Sequence, residues 1–267
     1  MEKENFFKIL FMLVFTTIVN AQDKIVEKNY GTIMTDRPDQ TESSTLVPKK
    51  FLQIETGVFY ESLEVGNFNN KTSTLNTTLL RYGLLDNLEF RIGFSFTEIN
   101  REFNGTKLND ISSGFSPLAL GVKIGITEEK GLLPEIAFLG HINFPFLASN
   151  DFKTKSTSID FRFAMAHTLN KKSSLSYNLG MAWDGDITTA NYVYAIAYGY
   201  SISDKIGTFI ELYGDLPEDS NFNHFWDTGL TYLISDNVQL DVSGGTGLSK
   251  NIQDLFLSAG ISFRLPK

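Results

Sequence analysis

Glu89 and Arg91 stand two residues apart in "LEFRIGFSF", and Asp160 and Arg162 repeat that spacing in "SIDFRF". On an extended strand this spacing puts both side chains of a pair on one face. A charge removed from water is costly unless it is paired. Such residues therefore act either as structural ties or as the lining of a selective passage. Glu55, Arg81, Lys123, Glu135, Glu211, Asp227, Asp241 and Arg264 occupy comparable positions, on the polar side of alternating segments. The histidines His141, His167 and His224 fall in no metal-ligand spacing. His141 shares a strand face with Asn143 and reads as a hydrogen-bonded polar-face residue. The absence of cysteine excludes disulfides, thiolate metal sites and cysteine nucleophiles. No catalytic residue, metal or cofactor is expected from this set.

The elements that must position these charges alternate with a period of two from Phe51 onward. In "LEFRIGFSF", Leu88, Phe90, Ile92, Phe94 and Phe96 face one way, and Glu89, Arg91, Gly93 and Ser95 the other. "SLSYNLGMAWD", "YVYAIAYGY" and "LFLSAGISFRL" repeat the pattern, and no long segment carries a helical period. About 12 such strands run from 51–60 to 255–265, with 114–126 read as one, each near the roughly 9–11 residues a tilted strand needs to cross a bilayer.

Their connectors alternate in length. "LLDN", "TEEKG", "LNKKS", "SDK" and "SDN" are tight, whereas "ESLEVGNFNNK", "NREFNGTKLNDIS" and "GDLPEDSNFN" are long and polar. Short turns at one end and long loops at the other suit an outer-membrane barrel. The polar face mixes Gly, Ala and Ser with charges, as a crowded wet interior requires. Aromatic residues such as Tyr60, Tyr82, Trp183, Tyr200 and Tyr232 gather near strand ends, where interfacial girdles form. The fold class expected is all-β: a closed antiparallel transmembrane β-barrel with short periplasmic turns and longer extracellular loops.

Residues 1–21 read as a signal peptide, with the apolar run "ILFMLVFTTIV" and a cut after Ala21. Residues 22–50 then form an N-terminal periplasmic or lumen strap, and 51–267 the barrel. A net charge of −8 with no basic run argues against nucleic-acid partners. The partners expected are outer-membrane lipids and a small solute.

The N-terminal stretch "TDRPDQTES", Thr35–Ser43, is followed by Val47–Pro48, by Gln53-Ile54-Glu55, and by Arg81-Tyr82-Gly83 in "LLRYG". These motifs resemble the outer-membrane transporter family named for the MetA pathway of phenol degradation. The likeness spans most of the mature chain and is specific in its first third. One departure is "VPKKF", where Lys49 and Lys50 stand in place of the Gly that follows Pro in that pattern. The resemblance implies a barrel transporter in the outer membrane of a Gram-negative bacterium, without naming a solute.

The stretch around Asp36, Arg37 and Pro38 has too many turn formers and charges for a lipid-facing strand, and no apolar face for a helix. Residues 30–48 are therefore expected to fold back from the periplasmic mouth into or across the lumen as a strap that narrows the pore and could gate it, the alternative being a disordered periplasmic tail. Arg37 would pair with Glu55, Glu89 or Glu211, and Asp36 with Arg91 or Arg81. The function expected is a channel for uptake or diffusion of small molecules, hydrophobic or aromatic ones among them, and not an enzyme. The alternatives are a structural or adhesive barrel, and a barrel hydrolase. "HINFP" lacks the Ser that a barrel phospholipase would carry two residues after its His.

Overall fold

Alternating residues lay one antiparallel sheet that closes on itself. The computed structural model describes residues 30–186, 189–249 and 253–265. By its contacts the chain divides into Met1–Gly31 with Lys267, nearly all outside the described residues, and Thr32–Pro266. The expected signal peptide at 1–21 lies outside the described residues.

The strands are β1 Leu52–Val65, β2 Phe68–Leu85, β3 Leu88–Phe103, β4 Thr106–Phe115, β5 Leu118–Thr127, β6 Glu135–Phe144 and β7 Ser158–Asn170. They continue with β8 Ser173–Trp183, β9 Ala190–Ser201, β10 Ile206–Pro217, β11 Asn223–Ser235, β12 Val238–Gly247 and β13 Gln253–Leu265. Neighbouring strands pair in sequence order except at β4 and β5, and β1 pairs with β13, which closes the sheet. Both β4 and β5 pair with β3, at its upper and lower halves. The thirteen segments therefore make a barrel of twelve staves.

The structure departs from the sequence expectation in two places. The span 114–126 is not one strand. Pro117 has no N–H for a ladder, and the stave breaks at Ser116–Pro117, between β4 and β5. Two of the supposed long loops are hairpins whose strands rise above the others. Asn104 and Gly105 both have positive φ, 49° and 74°, as a two-residue type I′ turn requires. Gly66, with φ 63°, turns β1 into β2. On the other side of the wall, β5 and β6 reach only 10 residues each. The segment after β6 forms two short 3-10 turns, Pro145–Leu147 and Asn150–Phe152, and bonds to the free edge of β4 through Ser149 and Phe115.

The faces follow the barrel rule. Leu179, Ile196 and Ile261 point out and stay exposed, while Arg81, Glu89, Lys123 and Glu211 point in and are buried. The interior is not wholly polar, since Leu139, Phe209 and Phe256 are buried on inner positions too.

Candidate functional site: a strap across the lumen

Residues 32–48 form no helix or ladder, so their backbone groups must find partners on the wall. Those partners are the inward polar residues of the staves. The centre is Asp36. Its carboxylate lies 2.7 Å from Arg91, 3.1 Å from Arg81 and 3.0 Å from Lys123. Arg81 also holds Glu55 at 2.9 Å and Glu89 at 2.8 Å, and Arg91 reaches Glu89 at 3.2 Å. Glu42 closes the cluster on Arg91 at 2.8 Å. Four carboxylates and three cations thus satisfy one another out of water, as buried charges require.

The wall charges also hold the strap's backbone. Glu55 accepts from the N–H groups of Asp36 and Arg37, at 2.9 and 3.2 Å. Lys123 donates to the Ser43 carbonyl at 2.7 Å, and Arg81 to that of Thr45 at 2.9 Å. Glu89 accepts from the Val47 N–H at 2.9 Å. Burial alone would raise the Asp36 carboxyl, but Arg81, Lys123 and Arg91 outweigh it and hold the group well below the usual carboxylate range.

Arg37 lies beside this cluster. The sequence pointed to Glu55, Glu89 or Glu211 as its partner. The fork instead meets Asp241, at 2.9 Å, and also donates to Ser258 and Thr77. The reason is space. Gly57 and Gly260 face each other on β1 and β13, and a Cβ on either would run into the Arg37 guanidinium. The Arg37–Pro38 peptide that follows is cis.

Beyond Pro38 the strap crosses to other staves. Glu211 accepts from the Gln40 N–H at 2.8 Å and from the Thr41 hydroxyl. Asn178 receives the Glu42 N–H at 2.7 Å and donates to the Glu42 carbonyl at 3.0 Å. Asp227 sits opposite Glu211 in register, fully buried, with its carboxyl against that of Glu211.

The remaining sequence candidates lie outside the cluster's centre. His141 accepts from Arg91 Nε at 3.1 Å on Nε2 and faces Asp160 at 3.0 Å with Nδ1. Both ring nitrogens are engaged, which leaves none for activating a serine. Asp160 and Arg162 form no pair with each other, since Arg162 reaches the Gln40 carbonyl instead, at 3.3 Å. Arg264 bonds Asn237 near the short-turn end, and Glu135 stands at the end of β6. Among the described residues no acid and histidine group is placed to hold a metal. Sequence reading missed Asn178, Gln53 and Gln239, the last two donating to Met34 and Thr35. Gln53 stood inside the Gln53-Ile54-Glu55 motif, whereas the signal of Asn178 and Gln239 was a lone amide on a face of small or charged residues.

Strap residues line two cavities. One of about 540 Å³ is lined by Thr77, Leu79, Ser95 and Pro117, with Asp36, Arg37 and Glu42 of the strap. The other, of about 680 Å³, is lined by Lys172, Ser176, Gly199 and Thr231, with Thr35, Pro38 and Thr41.

The family model described as "Putative MetA-pathway of phenol degradation" matches residues 35–265. No curated protein sequence matches the chain. Among solved structures, an outer membrane channel from Pseudomonas putida F1 is similar, at a TM-score of 0.64 and 12% identity, over 87% of this chain and 100% of that one. The translocator domain of the autotransporter NalP from Neisseria meningitidis has a TM-score of 0.52 at 10% identity, over 80% of this chain and 88% of that one. The KdgM porin in complex with disordered oligogalacturonate has a TM-score of 0.50 at 9% identity, over 78% and 98%. The shared fold is that of outer-membrane barrels.

Proposed function

The chain belongs to the family described as "Putative MetA-pathway of phenol degradation", and from that premise we propose that it is an outer-membrane channel for small molecules, hydrophobic or aromatic ones among them. Removal of residues 1–21 on export would leave the strap at the periplasmic mouth, ahead of the first stave. The lumen carries the reading. Two cavities open in the lumen, and strap residues line both, with Arg37 common to the two. The outer belt of Leu179, Ile196, Ile210 and Leu230 suits lipid. Support also comes from the barrel likeness to the channel of Pseudomonas putida F1.

The upper cavity favours uncharged solutes. Its lining joins hydroxyls, Thr77 and Ser95, to short apolar groups, Leu79 and Pro117, and its charged residues are already paired, Arg37 with Asp241, Glu55 with Arg81, and Asp36 and Glu42 with Arg91. The strap narrows the passage and gates it. The test is conductance and solute flux of the mature protein in planar bilayers and liposomes, with and without residues 30–48. Small unitary currents that grow on deletion are expected, together with influx of uncharged aromatic solutes. Absence of current and flux in both forms would leave a structural barrel.

A further inference from the structure

The strap's ties to the wall are unequal around the barrel. In stave order β8 stands opposite β1, and β10 opposite β3. Residues 36 and 37, and again 43 to 47, are held on the β1, β2, β3, β5 and β12 side. Those ties are made by charges: Asp36 on Arg81, Arg91 and Lys123, Arg37 on Asp241, and backbone groups on Glu55, Lys123, Arg81 and Glu89. Between these two anchors, residues 38–42 cross the lumen. At the far wall they meet Glu211 of β10 and Asn178 of β8, and Arg162 of β7 donates to the neutral Gln40 carbonyl at 3.3 Å, so no ion pair ties this segment to that wall.

We infer that solute passes by displacing only residues 38–42 from β8 and β10, and that Asn178 and Glu211 set how readily this happens. The inference rests on the channel reading above. Residues 43 to 47 are held by three fully buried charged groups at once, Lys123, Arg81 and Glu89. The crossing segment's bonds to Glu211, Asn178 and Arg162 instead border the open lower cavity, where water or solute hydroxyls can replace them. Breaking a buried ion pair leaves a stranded charge, which is far costlier. The weak contacts are therefore the ones that yield first. The wall behind them is ready for the movement. Ser176, Ala197, Gly199 and Gly207 leave room along β8, β9 and β10, and they already line the lower cavity. Lifting 38–42 off this small-residue face joins that cavity to the upper one while both anchors stay closed. The Glu42 side chain, tied to Arg91 on β3, serves as a hinge tether on the anchored side.

The chain has no cysteine, so paired cysteines can lock chosen contacts. In liposomes loaded with a neutral solute, Asn178→Ala is expected to raise influx several-fold. Thr41→Cys with Glu211→Cys, joined by a short bis-methanethiosulfonate, should abolish influx until reductant is added. Leu46→Cys with Gly125→Cys locks the anchored end, where the Leu46 side chain lies against Gly125. That lock should leave influx at the level of the same variant before cross-linking. Equal block by both locks would overturn the inference, because the whole strap would then have to leave. Block by neither, with influx still present, would also overturn it. If the variant lacking residues 30–48 carries no solute either, the channel reading fails and this inference fails with it.

Discussion

The guanidinium of Arg37 occupies the space that a side chain at Gly260 would need. Gly57 leaves the matching space on the neighbouring strand, so two opposed glycines cut a slot for one strap residue. Gly260→Leu should therefore expel the fork and strand the buried Asp241 carboxylate. Loss of one partner of a buried pair costs about 3–5 kcal/mol. The expected result is a lower temperature of heat modification on gels and a larger conductance. Arg37→Ala should give the same pair of changes. Arg37→Ala with Asp241→Asn should recover part of the stability, which a double-mutant cycle would read.

Asp36 gives the strap a pH signature. Its carboxyl is held well below the usual range because three cations outweigh its burial. A lowered folded value means stability that is present above the unfolded value, about 3.9, and lost as pH falls through the folded one. Wild type should therefore keep its advantage over Asp36→Asn from neutral pH down to about pH 4. Heat stability of the two proteins along a pH series measures this. An advantage already gone at pH 6 would show that Asp36 is not held by Arg81, Arg91 and Lys123.

Much of this arrangement was legible in the sequence. Alternation fixed which side chains of β3 and β7 face the lumen, because a period of two leaves no choice once one face is apolar. The tall hairpin was not legible. Thr106–Ser113 is mostly exposed and carries no regular apolar face, so it reads as a loop, although Asn104–Gly105 carried the turn signal. The partner of Arg37 was also hidden. Asp241 was marked as a lumen acid, but its contact depends on the strap's path past Gly57 and Gly260, 20 and 223 residues further along the chain. Inward glycines looked like ordinary small lumen residues until an arginine was seen lying on them.

The lipid face supplies a test that does not involve the strap. Leu179 and Ile196 lie near the middle of β8 and β9 and are exposed outward. Leu179→Arg or Ile196→Arg should cost about 2–4 kcal/mol at mid-depth. Refolding equilibria in lipid vesicles would measure this. Lipid-phase quenchers should reach labels at these positions and miss labels at Glu89 and Arg91, which are buried inside. The opposite pattern would turn the barrel inside out.

The rim of the barrel decides where proteases cut. Residues 103–106 form a tight turn whose strands stay paired, so no slack backbone is offered there. Between β10 and β11, residues 218–222 run unpaired and exposed for most of their length. A protease needs several residues of extended, unpaired chain, which concentrates cleavage at exposed loop tips. Protease added to intact cells should therefore cleave within 218–222 and spare Asn104–Gly105. Replacing Gly105 by Val removes the residue that tolerates φ 74° and should loosen that hairpin, adding a second cut near 104. Mass spectrometry of the fragments reads both sites. Cleavage restricted to 128–134 or 171–172 would put the short turns outside the cell and reverse the orientation of the barrel and of its strap.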